Sequence, residues 1–271
     1  MSFRCPVCSQ ELKKEEKIWV CPQGHTFDIA AKGYVNLLMS NSSGAKRHGD
    51  DRLMINARRD FLSKGFYTPL REAVYDALSA DFPRGGTLLD AGCGECWYTS
   101  YFKSRLGESG LEPQVLGVDI SKYALEKAPK NCGVERAVAS IYKLPVGDGE
   151  CDALVNIFAP ACPQEFSRVL KKDGVFVKAI PIEKHLWELK SAVYDAPYEN
   201  EVPSNDIEGF RLVGEKKICY TFSLESKKDI TDLFNMTPYC YKTSQQDREK
   251  LEKLSSLTVS AQFSVLTYKK L

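Results

Sequence analysis

Thr87-Leu88-Leu89-Asp90-Ala91-Gly92-Cys93-Gly94-Glu95-Cys96 runs from an apolar strand into a turn with two glycines. A helical pattern follows, with Trp97, Tyr101 and Leu106 among its larger apolar or aromatic residues. Glycine at such a turn lets the backbone approach a ligand closely. Two glycines alone are weak evidence, and the residues downstream strengthen them. Val115-Leu116-Gly117-Val118-Asp119 is a second apolar strand ending in an acid. In a doubly wound sheet such an acid can accept hydrogen bonds from ribose hydroxyls. No third glycine completes the dinucleotide fingerprint G-x-G-x-x-G.

The order acid, Gly-x-Gly, acid resembles instead the S-adenosylmethionine loop of class I methyltransferases. Asp152 to Phe158 is expected as the fourth strand of that fold and Gly174 to Ile180 as the fifth, with Phe166 to Lys171 as the helix between them. The alternative is a doubly wound sheet that binds another nucleotide or none.

A separate signal occupies the N-terminus. Cys5-Pro-Val-Cys8 is followed by Cys21-Pro-Gln-Gly-His25, which is C-x2-C, twelve residues, then C-x3-H. Zinc takes four soft or borderline ligands in a tetrahedron, and two knuckles at this spacing supply them. With four protein ligands the site is closed and structural. Glu11 to Glu16 is polar enough to turn, and Ile18-Trp19-Val20 is a short strand leading to the second knuckle. A second C-x2-C, Cys93 to Cys96, has no matching half-site and belongs to the glycine turn.

Composition bounds the rest. At 271 residues, 43% hydrophobic and 27% charged, the chain can build its own core and has no need of disulfide staples despite ten cysteines. Thirty-seven basic and thirty-six acidic residues exclude an all-over electrostatic grip on nucleic acid, though not a local basic face. No apolar run approaches a membrane span, and the first residues lack a secretory core, so a cytoplasmic protein without membrane contact is expected.

Ser40 to Gly49 reads as a linker. Asp50 or Asp51 caps a helix carrying Leu53, Ala57 and Phe61, which Gly65 ends. Thr68-Pro69 starts the next, with Leu70, Ala73, Val74, Ala77 and Leu78 on one face. Lys46, Arg47, Arg52, Arg58 and Arg59 cluster around the linker, either as a solvated face or as contacts to RNA phosphates. Lys184 to Lys190, Asp229 to Phe234 and Gln245 to Leu254 have helical patterns, and Ile218 to Leu224 and Leu257 to Tyr268 are β-like.

Taken whole, the chain resembles the zinc-containing 23S rRNA (guanine-N1)-methyltransferases of the RlmA type. The resemblance rests on both cysteine knuckles, Gly33-Tyr34-Val35-Asn36-Leu37-Leu38, Ala57-Arg58-Arg59-Asp60-Phe61-Leu62, Tyr67-Thr68-Pro69-Leu70-Arg71, Asp90 to Glu95, Ala159-Pro160 and His185 to Lys190. It implies an α/β fold: a class I S-adenosylmethionine-dependent methyltransferase, Rossmann-like with a seven-stranded mixed sheet, behind a small N-terminal zinc-binding module. The expected division is residues 1–39 as a zinc-binding RNA-recognition module, 40–80 as linker and helices, and 81–271 as the methyltransferase domain.

The activity implied is methyl transfer from S-adenosyl-L-methionine to N1 of a guanosine in a domain II hairpin loop of 23S rRNA. Two branches of the family modify neighbouring guanosines, one of them linked to macrolide resistance. By motif, Cys5, Cys8, Cys21 and His25 hold one structural zinc ion, and Tyr67, Gly92, Gly94, Glu95 and His185 line the cofactor site. Asp119 joins them from the ribose argument. Outside the resemblance, His185 reads first as a core histidine or helix cap, and Tyr67 equally as an aromatic packed under the next helix. The family loop usually continues with Gly where this chain has Cys96, and a Cβ there is expected to shift the turn. Guanine N1 must also lose a proton; Asn156 and His185 are candidate acceptors, and the base stays unassigned. The partner is 23S rRNA, with a homodimer left open. Two other functions stay open: a small-molecule methyltransferase, distinguished by transfer to metabolites, and a silent RNA-binding module, distinguished by failure to bind cofactor.

Overall fold

A computed structural model describes residues 2–39 and 49–271. The expected linker therefore lies, but for Gly49, outside the described residues, as do Lys46 and Arg47.

Three short strands come first: β1 (Lys13–Lys14), β2 (Ile18–Val20) and β3 (Thr26–Asp28) form a small antiparallel sheet. A fourth, β4 (Tyr34–Asn36), joins a different sheet, as described below. Helices α1 (Arg52–Ser63) and α2 (Thr68–Ser79) follow. The chain then alternates through β5 (Thr87–Ala91), α3 (Trp97–Glu108), β6 (Gln114–Asp119), α4 (Lys122–Lys127) and β7 (Glu135–Val138). Next come β8 (Cys151–Ile157), α5 (Pro163–Val169), β9 (Leu170–Pro181) and α6 (Trp187–Val193). It ends with β10 (Phe210–Leu224), α7 (Lys227–Asn235), α8 (Tyr239–Lys242), α9 (Gln245–Glu252) and β11 (Leu257–Lys270). No helix among the described residues is long and apolar enough to cross a membrane.

The main sheet has the order β10-β11-β9-β8-β5-β6-β7-β4. Strands β9, β8, β5, β6, β7 and β4 are parallel, and β11 and β10 close one side antiparallel. This is the expected mixed sheet, with one strand more than seven. The extra strand is β4, whose Val35 aligns with Ala137 of β7. Order reverses between β5 and β8, and in open α/β sheets that crevice, at the carboxyl ends of the strands, is where ligands bind.

All five residues of β5 are buried, as a central parallel strand requires. Successive side chains point to opposite faces, so Leu88 and Leu89 enter different apolar layers. Leu88 packs with Phe61, Leu70, Val74, Phe102 and Leu106 of the helices. Leu89 packs with Leu116, Leu154, Phe166 and Phe176, and the same layer holds Phe3, Leu12, Trp19 and Val35. The N-terminal segment is thus the cover of one face of the main sheet.

Local signals explain most boundaries. Asp51 caps α1 by accepting from the Met54 N–H at 2.8 Å, and Gly65, at φ +80°, follows its end. Leu53 points outward, and Met54, Ile55, Ala57, Phe61 and Leu62 form the inner face. In α2 the expected Leu70, Ala73, Val74 and Leu78 are buried. The pattern at Lys184 becomes helical only at Trp187, after Leu186 in a left-handed conformation. Strand β10 begins eight residues before the expected Ile218; its charged residues follow from its place at the sheet edge.

Arg136 on β7 is 2% exposed, and its guanidinium donates to the carbonyls of Lys32, Lys130 and Leu125. It fastens the Gly33 turn, and with it β4, to the sheet. Arg136→Ala should lower the unfolding free energy by about 3 kcal/mol, the cost of leaving buried carbonyls unpaired. Urea unfolding and limited proteolysis of the first 39 residues would register the change; an unaltered midpoint and cleavage rate would contradict this role.

Candidate functional site

At the N-terminus, the sulfurs of Cys5, Cys8 and Cys21 and a ring nitrogen of His25 all lie within 4.8 Å of one another. His25 Nδ1 is 3.2 Å from Cys21 Sγ and 3.7 Å from Cys5 Sγ, and Cys8 Sγ is 3.6 Å from Cys21 Sγ. A tetrahedron with arms of ~2.3 Å has edges of ~3.8 Å, so the four atoms are spaced as zinc ligands are. The turns that aim them are closed by Ser9 N–H on the Cys5 carbonyl and Gly24 N–H on the Cys21 carbonyl.

The second site is a cavity of about 250 Å³ at the carboxyl ends of β5, β6, β7 and β8, where the strand order reverses. Gly92, Gly94, Glu95 and Asp119 line it, as expected, together with Asp50, Arg58, Asp90, Tyr98, Tyr142 and Phe158. Each glycine has its own reason. At Gly92 a Cβ would fall 2.5 Å from the Ala159 Cβ, so the turns after β5 and β8 touch there. Gly94 has φ +52°. Asp119 fixes the loop: its Oδ2 accepts from the Gly94 N–H at 2.8 Å and its Oδ1 from the Ser121 N–H at 2.7 Å. Burial holds the Asp119 carboxyl above its ordinary range, against the pull of those two N–H groups.

Glu95 is 6% exposed; its Oε2 accepts from Arg58 Nε, and its Oε1 is buried without a hydrogen-bond partner. The Tyr98 hydroxyl is also buried and unpartnered. Two unsatisfied polar groups beside one cavity are the mark of a ligand that supplies donors and acceptors.

Cys96 sits in the turn where glycine was expected. It takes the left-handed conformation itself, φ +61°, at the cap of α3, and its thiol is fully buried against Cys93 and Cys132. The loop keeps a backbone suited to glycine, and the extra side chain goes into the core.

Tyr67 and His185 stand elsewhere. Both are buried, 3.3 Å apart, and outside the cavity lining. The Gln262 N–H donates to His185 Nδ1 at 3.2 Å, so the neutral ring carries its proton on Nε2 and donates it to the Tyr67 oxygen. Burial depresses His185 to about 3, with Lys190 adding to the effect. Its one lone pair is occupied, so in this arrangement it cannot accept the guanine proton. Tyr67 packs edge-on against the ring of Phe158, which does line the cavity. Asn156 is half committed: its amide donates to the carbonyls of Ala91 and Pro160 beneath the floor of the site, while its Oδ1 is buried without a hydrogen-bond partner.

Sequence reasoning missed Phe158 and Tyr142, aromatic rings at the cavity mouth that are 46% and 63% exposed. Phe158 has φ +57°, a strained conformation for a bulky residue, and such strain concentrates at functional positions. Arg58, expected either on a solvated face or against RNA phosphates, turns into the cavity wall instead. Arg59 next to it faces outward and pairs with Asp60, and Arg52 lies over the Tyr123 ring.

Residues 3–44 match the family model described as RlmA, N-terminal, a zinc ribbon, and residues 89–178 match a methyltransferase domain. A Bacillus subtilis (strain 168) protein, YxjB, provisionally named a 23S rRNA (guanine-N1)-methyltransferase, is 29% identical over 97% of this chain and 95% of its own length. A Micromonospora griseorubida protein with the same provisional description is 31% identical over 89% of this chain and 87% of its own. The Streptomyces fradiae 23S rRNA (guanine(748)-N1)-methyltransferase is 33% identical over 82% of this chain and 80% of its own.

Two outcomes follow for this loop. Cys96→Ala keeps the left-handed strain and loses the thiol, whereas Cys96→Gly relieves strain of about 1 kcal/mol. The glycine variant should therefore be the more stable in urea unfolding, by about that amount; an alanine variant that is equal or better would contradict the backbone assignment. Asp90, buried beside Thr99, is pushed up to about 7 chiefly by desolvation. In the folded protein it keeps a proton that the unfolded chain loses near 3.8. Its contribution to stability is thus full below pH 3.8 and lost as pH rises through 7. Relative to wild type, Asp90→Asn should gain stability between pH 4 and pH 8, by about 4 kcal/mol at most. Urea midpoints across that range test it, and a difference independent of pH would show that Asp90 is ionised throughout.

Proposed function

We infer the activity from kinship: the chain belongs to the family of 23S rRNA (guanine-N1)-methyltransferases, and it transfers a methyl group from S-adenosylmethionine to N1 of a guanosine in 23S rRNA. The observation that carries this is the pairing, in one chain, of a closed Cys3His zinc tetrad with a glycine-loop cavity at the sheet's switch point. The target we propose is a guanosine in a domain II hairpin loop. Residues 1–39 form the zinc-binding RNA-recognition module, 40–80 the linker and helices, and 81–271 the methyltransferase domain.

The residues present fit both groups. Cys5, Cys8, Cys21 and His25 would hold zinc, which fixes the ribbon and takes no part in the chemistry. Gly92 and Gly94 would let the loop lie close under the methyl donor, Asp119 would accept from its ribose, and Glu95 would offer its unpartnered Oε1. Tyr67 and His185 support that site from behind Phe158. When bound, S-adenosylmethionine supplies an electrophilic methyl group on a sulfonium. The chain's task is then to bring guanine N1 in line with it and to exclude water. Phe158 and Tyr142 offer ring faces at the cavity mouth on which an unstacked base can lie. Cys96 holds the left-handed backbone that a glycine takes readily, which supports a working cofactor loop over a silent RNA-binding module.

The zinc-loaded protein, incubated with S-adenosylmethionine and unmethylated 23S rRNA, should produce one new reverse-transcriptase stop in domain II, because a methyl on N1 blocks Watson–Crick pairing. Phe158→Ala should reduce that stop by about 5- to 100-fold, since stacking on an aromatic contributes ~1–3 kcal/mol per base. Methyl transfer to small metabolites with no stop on the RNA would overturn the assignment.

A further inference from the structure

The cavity holds one cation among many acids. Asp50, Asp90, Glu95 and Asp119 line it, and among the described residues Arg58 is the sole basic side chain that does. The methyl donor carries two positive groups, the sulfonium and the α-ammonium, and one negative group, the α-carboxylate. Electrostatic complementarity therefore asks the site for acids and a single cation, which is the set that lines this cavity.

The geometry of Arg58 is that of a half-made fork. Its Nη1 donates to Asp50 Oδ2 at 2.6 Å and its Nε to Glu95 Oε2 at 3.3 Å. A guanidinium and a carboxylate ordinarily meet through two parallel hydrogen bonds. Here one bond forms, Glu95 Oε1 is left buried and unpartnered, and Nη2 has no hydrogen-bond partner among the described residues. That Nη2 lies over the glycine turn, 3.5 Å from where a Cβ on Gly94 would sit. Helix α1 fixes the placement. Asp51 caps it, its apolar face is buried, and one residue on, a rotation of about 100°, Arg59 faces solvent instead.

We propose that Arg58 is the carboxylate-holding residue of the methyl-donor site, its free guanidinium edge taking the donor's α-carboxylate while Glu95 Oε1 takes the α-ammonium. This rests on the methyl-donor assignment above and deepens it. No bond is made or broken: one ion pair with an unpaired atom on each side becomes two, closed by the zwitterionic end of the ligand. Arg58 is then a positioning residue, and it removes the first half of the basic pair Arg58–Arg59 from any RNA face.

The test compares two ligands on the zinc-loaded full-length protein by calorimetric titration: S-adenosylmethionine and its decarboxylated analogue, which keeps sulfonium and ammonium. Wild type should prefer the carboxylate-bearing ligand by about 10- to 100-fold, the range of a charge-assisted contact. Arg58→Gln should weaken S-adenosylmethionine by that factor and leave the analogue within threefold, so that the preference disappears. Arg58→Lys should restore part of it, and Glu95→Gln should weaken both ligands. Equal weakening of both by Arg58→Gln would mark a merely structural residue and overturn the proposal. So would a wild type with no preference, a readout that needs no variant to fold. Binding of neither ligand to wild type would overturn the methyl-donor assignment itself, and the proposal with it.

Discussion

At Gly92 the turns after β5 and β8 pass so close that a single added carbon would collide with Ala159. The rest of the site depends on that approach. With the two turns in contact, the carboxyl ends of four strands converge on one cavity, and the Asp119 carboxylate can reach across to hold the Gly94 N–H. Asn156 ties the same two turns from below through the Ala91 and Pro160 carbonyls. The acids around the cavity are held by main-chain donors, by the Thr99 hydroxyl and by one arginine, so the loop is ordered before any ligand arrives. Preorganisation of this kind lowers the ordering cost of binding.

Charge is kept in the cavity at some expense. Burial pushes Asp90 and Asp119 up, and Glu95 keeps an oxygen without a donor. Real proteins tolerate such groups where function requires them and stabilise the fold elsewhere. Here the two apolar layers do that work. One unites the helices with the inner face of the sheet, and the other unites the sheet with the N-terminal ribbon.

Much of this was legible in the residues. The knuckle spacing named the zinc ligands, and the strand-turn-helix pattern from Thr87 placed the cavity. Asp51 and Gly65 marked the ends of α1. What could not be read has physical causes. Three residues, Tyr34 to Asn36, carry no periodicity that distinguishes a strand from a turn, so the pairing of β4 with β7 was invisible. Arg58 and Arg59 are neighbours in sequence and look like one basic patch; only the phase of α1, set by which apolar residues it buries, sends one inward and the other out. Phe158 adopts a backbone conformation that nothing in its residue type suggests, imposed by the turn after β8. At Cys96 the turn's conformation prevails over the residue's preference, which the residue type alone does not disclose.

The shared apolar layer has a consequence for the cell. Phe3, Leu12 and Trp19 are held in place by a ribbon that zinc closes, yet they pack in the same layer as Leu89 and Leu116, the strands that carry Asp90 and Asp119. Metal and methyl donor are therefore linked through the core, although neither touches the other. A ribbon that lost its ion would uncover a face of the main sheet, and the strands that line the cavity would suffer along with the ribbon. A cell starved of zinc would then accumulate ribosomes without this mark, and the decoration of its ribosomal RNA would become a record of its metal supply.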